Sequence, residues 1–336
     1  MTRRLTTLVG LLLVALLAVA CGGGSAASPA TAQGLTPLTV GLGYIPSVQF
    51  APFYLADQAG YYRDAGLDVT FQNKIDPDLV TLVGQGSIDI GLADGTSLIP
   101  AVSQGIPVRY IATIYRDFPS IVFAKASSEI GSAADLSGRK IGIPGRYGSS
   151  WIMLQALLGS AGLTPDDVEI VEYPDFGQGA AVQQGAVDAA TGFSNNEPIQ
   201  LALAGFETTI LRVDGIVPLP GPGLISGTAT LSARQAAISA FVAATLKAMA
   251  DIAADPAKGL EAAVTAVPEL GSDRATQTAI LDATIAAWQG SDGGGTALGS
   301  IDVANWTASL AFMADLGLVA NPVNVTDLIQ TDLLPR

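Results

Sequence analysis

The 336 residues carry 16 Lys and Arg against 30 Asp and Glu, a net charge of -14, with no His and a single Cys. Such a charge repels nucleic acid and anionic membrane surfaces, and the missing His excludes His-based triads and His-bearing metal sites. One Cys rules out an internal disulfide framework, while the length suits two medium cores, so two lobes are expected.

Arg3 and Arg4 precede an apolar run from Leu8 to Ala20, which ends in Leu17-Ala18-Val19-Ala20-Cys21 before Gly22-Gly23-Gly24-Ser25. This is the pattern of a secretion signal; the apolar core is shorter than the roughly 20 residues of a membrane span. The small residues before Cys21 resemble the lipobox of bacterial lipoproteins, with Ala18 where leucine is commoner. That resemblance implies a signal peptide over 1–20 and Cys21 as the lipidated first residue of the mature chain; an ordinary signal peptide with a spare cysteine is the alternative. Residues 21–37, with "GGGSAASPATAQGLTP", have no hydrophobic period and are predicted to be a flexible tether. Lipid and tether together would hold the folded part beside a membrane it does not cross.

From Leu38 onward short β-branched runs alternate with helical stretches, which predicts α/β layers with largely parallel strands. Strands are expected at Leu38–Gly41, Ile88–Ala93, Val108–Thr113, Ile121–Ala124, Lys140–Ile143, Val168–Tyr173 and Val187–Thr191. The chain holds 10 Phe, 8 Tyr and 3 Trp, yet Tyr44, Phe50, Phe53, Tyr54, Tyr61 and Tyr62 all fall within "GYIPSVQFAPFYLADQAGYY". The four in the helical part are expected in a core, and Tyr44 and Phe50, in the preceding loop, at a cleft.

An internal echo organises the middle of the chain. "LVGQGSIDIGLADGTSLIPAVSQGIPVRYIA" (82–112) aligns loosely with "AVQQGAVDAATGFSNNEPIQLALAGFETTIL" (181–211). Gly86 and Gly185 suit left-handed helix caps; Asp89 and Asp188 enter the following strand at matching positions and are expected to be structural. Ligands in open α/β sheets bind beyond the carboxyl ends of strands. That rule brings together Asp94 to Ser97, Phe193 to Glu197, the Tyr44 and Gln49-Phe50 loop, and "KIGIPGRYGSSWIMLQALL", where Ser149 is the expected N-cap of a helix starting near Ser150 and Trp151. Asn195 could be an N-cap, and Asp117 could pair with Arg116 on the surface. The last third, from Leu231, is helical in pattern, with Ser232 as N-cap, Pro256 as a stop, and Ala236, Phe241, Ala244, Leu246 and Met249 near one face. It is expected to pack on the first lobe.

"FAPFYLADQAGYYRDAGLDV", "LVGQGSIDIGLAD", "DLSGRKIGIPG" and "NNEP", in that order over roughly residues 38–228, resemble the periplasmic substrate-binding proteins of ABC importers, in the nitrate, taurine, alkanesulfonate and thiamine-pyrimidine branch. "GYIPSVQFAPFYLA" and "IYRDFPSIVFAK" look most like the riboflavin-binding lipoproteins of bacterial riboflavin importers. The resemblance implies a two-lobe periplasmic binding protein fold of type II. Lobe 1 would hold 38–124 and 226–336, lobe 2 residues 125–225, with hinge strands near Phe123–Lys125 and Leu224–Thr228 and the ligand in the interlobe cleft.

The candidate ligand residues are Tyr44, Gln49, Phe50, Asp76, Asp94 and Ser97, then Tyr115 and Arg116 after a strand, and Arg146, Tyr147, Ser149, Trp151, Phe193, Asn195, Asn196 and Glu197. Aromatic faces with carboxylates, here Asp76, Asp78, Asp94, Asp117 and Glu197, suit a flat heterocycle bearing N–H and hydroxyl donors, such as a flavin. A thiamine pyrimidine precursor and a sulfonate, taurine or nitrate ligand are the alternatives. An enzyme of the pyrimidine-synthase type is a further one, for which the resemblance implies His and Cys that this chain lacks. The expectation is thus a monomeric, non-enzymatic, exported receptor that holds riboflavin as transported ligand rather than cofactor. It would dock on a membrane ABC permease and touch the membrane only through its lipid.

Overall fold

The computed structural model describes residues 34–73, 78–216, 218–290 and 293–335; the signal segment, Cys21, most of the tether and Asp76 lie outside the described residues. The strands are β1 (Thr36–Gly41), β2 (Leu67–Gln72), β3 (Ile90–Ala93), β4 (Val108–Thr113), β5 (Ser120–Lys125), β6 (Lys140–Ile143), β7 (Glu169–Glu172), β8 (Ala189–Phe193), β9 (Thr208–Arg212) and β10 (Gly223–Gly227). The helices are α1 (Ala51–Gln58), α2 (Tyr61–Asp64), α3 (Leu79–Gly84), α4 (Gly95–Ser103), α5 (Gly148–Ser160), α6 (Gln178–Gln184), α7 (Glu197–Leu203), α8 (Thr228–Ala254), α9 (Pro256–Ala266), α10 (Arg274–Gln289), α11 (Val303–Asp315) and α12 (Val325–Leu328).

Two five-stranded sheets, ordered β2-β1-β3-β10-β4 and β7-β6-β8-β5-β9, form the cores of two lobes. In each sheet one strand, β10 or β5, runs antiparallel to both neighbours. These are the strands that follow each passage between sheets: the chain crosses between residues 113 and 120 and returns between 212 and 223. All of β5 therefore lies in the second lobe and all of β10 in the first, so both changeovers precede the limits expected at 124/125 and 225/226. Phe123, Ala124 and Leu224 to Ser226 are held in ladders on both sides, a poor place to absorb a hinge rotation. The crossing segments, which carry Pro119, Pro218, Pro220 and Pro222, have fewer ladder bonds to break. Strand edges move by one or two residues, and β1 takes Thr36 and Pro37 from the expected tether. β2 and β9 are additional to the strands expected from the sequence.

The internal echo extends to single hydrogen bonds. Gly86 and Gly185 end α3 and α6 with φ of 76° and 75°, a conformation glycine adopts without the Cβ penalty. Three residues on, the Asp89 carboxylate accepts from Thr39 N and its own amide donates to Thr39 O, at 2.8 and 3.0 Å. Asp188 repeats both bonds with Lys140, at 2.8 and 2.9 Å. Both aspartates thus tie the central strand they lead into, β3 or β8, to its parallel neighbour, β1 or β6, the structural role expected of them.

Helices α1, α2, α8, α9 and α10 contribute to the cluster on one face of the first sheet. Phe53 and Tyr62, each 1% exposed, lie against Phe241 of α8, the Tyr62 rings stacked at 4.9 Å and 4°. Such pairs add about 0.5–1.5 kcal/mol to area burial. Helix α8 bends at Arg234, whose guanidinium pairs with Asp89. Ser232 is not its N-cap: the helix starts at Thr228, and the Ser232 hydroxyl donates back to Thr228 O at 2.9 Å. Ala236 is exposed, off the buried face. The far face of the first sheet, with α3, α4, α11 and α12, shares one apolar cluster with α5 and the second sheet, so α4 against α5 links the lobes.

Candidate functional site

A cavity of about 820 Å³ lies between the lobes, inside the roughly 300–1,000 Å³ range of small-molecule sites. Its walls are the segments that leave the carboxyl ends of β1, β3, β6, β7 and β8, where open α/β sheets hold their ligands. From the first lobe come Tyr44, Gln49, Phe50, Asp94 and Ser97, with Tyr115 from the first crossing. From the second come Arg146, Tyr147, Ser149, Trp151, Phe193, Asn196 and Glu197.

Two of the expected residues are elsewhere. Arg116 donates its amide to Ala287 O, and its side-chain carbons face Gly290 at the end of α10. Asn195 is 2% exposed and is no N-cap, since α7 starts at Glu197 after Asn196. Its Nδ2 donates to Gln49 Oε1 at 3.1 Å and to Thr284 Oγ1 at 2.7 Å. It therefore buttresses the wall by tying α10 and the Gln49 turn to the second lobe. Asp78 and Asp117 do not line the cavity either.

Several lining groups are already engaged by the protein. Asp94 is the N-cap of α4: its Oδ1 accepts from Thr96 N and Ser97 N at 3.0 and 3.2 Å and from the Thr96 hydroxyl at 2.5 Å. Burial pushes its carboxyl up, against the hydrogen bonds from Thr96, Ser97 and Ser149. Ser149 is not an N-cap; α5 begins one residue earlier, at Gly148, and the Ser149 hydroxyl, from the other lobe, is the weakest of the groups that ease ionisation of Asp94. Arg146 lies 3.2 Å from Glu172 and over the Trp151 ring at 5.0 Å. Gln49 Oε1 accepts from both Asn195 and, at 3.5 Å, the Tyr115 hydroxyl.

Glu197 is the least engaged carboxylate in the wall. It is 9% exposed, and its Oε2 accepts from Phe193 N at 2.8 Å. Burial raises its pKa, opposed by the amides of Phe193 and Glu197 and by the Asn196 side chain. Gly192 is what lets it sit there: a Cβ at that position would stand 2.7 Å from Glu197 Oε2 and 2.7 Å from the Phe123 ring. Burial, and next the charge of Glu197, raise the Tyr44 phenol; burial raises that of Tyr115. Both are neutral hydroxyl donors at physiological pH.

Phe176 and Gln178 are among the lining residues that the sequence reading does not name. Gln178 is 1% exposed; its Nε2 donates to Thr191 O at 3.2 Å, and its Oε1 has no partner among the described residues. Both follow β7 in the strand-loop-helix layout that located the other segments, so applying that rule to "VEYPDFGQGA" would have found them.

The side chains of the wall offer an anion little positive charge. Arg146 is the only Lys or Arg among the described lining residues, and it is ion-paired. The positive ends of α4 and α7 are complemented by Asp94 and Glu197. What remains is aromatic surface, the Tyr44 and Tyr147 phenols, the N-terminus of α5, which no side chain caps, and several acceptors, a set that suits a planar molecule with N–H groups. No group of His, Cys, Asp and Glu suited to a metal ion occurs among the described residues.

Known proteins agree with this architecture. The chain is 33% identical over 339 residues, 96% of each protein, to the riboflavin-binding protein RibY of Chloroflexus aurantiacus. It is 28% identical over 236 residues to a 4-amino-5-hydroxymethyl-2-methylpyrimidine phosphate synthase of Aspergillus parasiticus, covering 66% of this chain and 68% of that one. The periplasmic aliphatic sulphonate binding protein SsuA of Escherichia coli superposes with a TM-score of 0.70 at 19% identity, covering 89% of this chain and 98% of that one. The fold is thus that of periplasmic binding proteins. Residues 47–259 match the model of the family described as NMT1/THI5 like, and with a relative of this identity along nearly its whole length, the chain belongs to the NMT1/THI5-like family.

Proposed function

We propose that the protein is the solute-binding component of an ABC importer, exported and anchored through a lipid on Cys21, that captures riboflavin or a close flavin and hands it to a membrane permease. The observation that carries this reading is the ionisable lining of the interlobe cavity: two buried carboxylates and one arginine already paired with Glu172. Such a lining favours a neutral heterocycle over a sulfonate or nitrate. The name of the RibY relative supports a flavin, and a cavity of about 820 Å³ has room for a tricyclic ring with its side chain. Capture needs no bond chemistry, in keeping with a chain that has no His and whose one Cys precedes the folded part.

Titrating riboflavin with the protein tests the ligand. Quenching of flavin fluorescence at submicromolar protein is expected, with a thermal shift that grows with ligand, since 100 times Kd adds about 2.7 kcal/mol. Absence of quenching, with stabilisation by an aminopyrimidine, would replace the flavin with the smaller heterocycle that the synthase relatives suggest. For the anchor, Cys21→Ala should release the protein from the membrane fraction.

A further inference from the structure

Phe176 is one of two non-glycine residues with a left-handed backbone among the described residues, at φ 60°. Bulky side chains rarely adopt that conformation. The neighbouring Gly177, which could adopt it freely, instead has φ -78°. The turn is held by Phe176 N donating to Tyr173 O at 2.9 Å and by Gly177 N donating to Asp175 Oδ1 at 3.2 Å. Its product is the position of one ring. Phe176, from the second lobe, meets Tyr44, from the first, edge to face at 4.9 Å and 81°, and both rings line the cavity. A planar ligand sandwiched between two rings needs them about 7 Å apart, twice a van der Waals contact. At 4.9 Å and 81° the two rings meet each other and leave no such slot.

We infer that Phe176 is a ligand-retaining residue: with Tyr44 it forms an aromatic gate between the lobes, closing over the cavity, and the parting of the two rings sets the rate at which ligand leaves. A contact made only in the closed form shifts the equilibrium toward closure, so its loss shows in koff more than in kon.

The test uses the full chain with Phe176→Ala, Phe176→Gly and Phe176→Tyr. One arm rests on the flavin reading: stopped-flow release of riboflavin should accelerate roughly 2- to 13-fold in F176A and F176G, the range an aromatic pair spans. In these two variants kon should be unchanged or raised, and F176Y should behave as wild type. F176G, free of the left-handed strain, should melt no lower than F176A while releasing as fast, a split that a merely structural role would not produce. The second arm needs no ligand. Trp288 and Trp306 are 2% and 1% exposed, so acrylamide quenching in the free protein reports chiefly on Trp151 in the cavity wall. F176A and F176G should raise it, and W151F should abolish the difference. If riboflavin does not bind at all, the flavin reading falls and the quenching arm decides the gate by itself. Unchanged quenching, or koff within twofold of wild type in both variants, overturns the gate.

Discussion

Glu197→Gln separates binding from stability at a single atom. The substitution keeps the side-chain volume, and an amide oxygen can still accept from Phe193 N, now 2.8 Å from Glu197 Oε2. What it removes is a charge that burial disfavours: the carboxyl is pushed above its ordinary range by desolvation, only partly eased by the two backbone amides and Asn196. Because the folded pKa lies above the unfolded value of about 4.3, the stability this group contributes is complete below about pH 4. That contribution is lost as pH rises through the raised value. By pH 7 the unfolded chain ionises freely while burial resists the charge in the folded protein, so E197Q should melt no lower than wild type, and its stability should fall less between pH 4 and 7. Binding should move the other way. A hydrogen bond to a charged acceptor contributes about 1.5–3 kcal/mol, so loss of that acceptor should raise the riboflavin Kd about 10- to 150-fold. Calorimetric melts at pH 4, 5.5 and 7, with fluorescence titration at pH 7, measure both. A variant that loses stability at pH 7 and keeps its Kd within threefold would refute the reasoning and make Glu197 a structural post of α7.

Three further outcomes follow from the same geometry. Gly192→Ala would set its methyl 2.7 Å from both Glu197 Oε2 and Phe123, so it should cost about 1–3 kcal/mol in melting experiments and weaken ligand binding in titration. Asp188→Ala and Asp89→Ala should both destabilise with riboflavin affinity unchanged, by about 1 kcal/mol for the first. The second should cost more, because it also removes the ion pair with Arg234 and leaves that guanidinium only its bond to Pro37 O. Taurine and alkanesulfonates should produce no thermal shift at millimolar concentration, since the one arginine in the described wall is held by Glu172; a shift of several degrees would show that this pair opens for an anion.

Local chemistry was enough to identify most of the repeat and most of the wall. Helix caps that need glycine, β-branched runs and strand-loop-helix junctions are set by residues within a few positions of one another. Gly86, Gly185 and their following aspartates therefore mark two copies of one unit, and the same junctions group Tyr44, Asp94, Trp151 and Glu197. The antiparallel strands β5 and β10 could not be assigned to their lobes this way, because which sheet a strand joins depends on distant partners, for β10 the strands β3 and β4 more than a hundred residues earlier. The same limit hid the fate of individual side chains. Asn195 turns away to Thr284, Asp94 spends an oxygen on its own helix, Arg146 is held by Glu172, and Phe176 meets Tyr44 across the cleft. Sequence set the kinds of group available at the cavity; only the packing of two distant halves decided which hydrogen-bonding atoms remained for a ligand, since a long-range partner leaves no periodic trace in the chain.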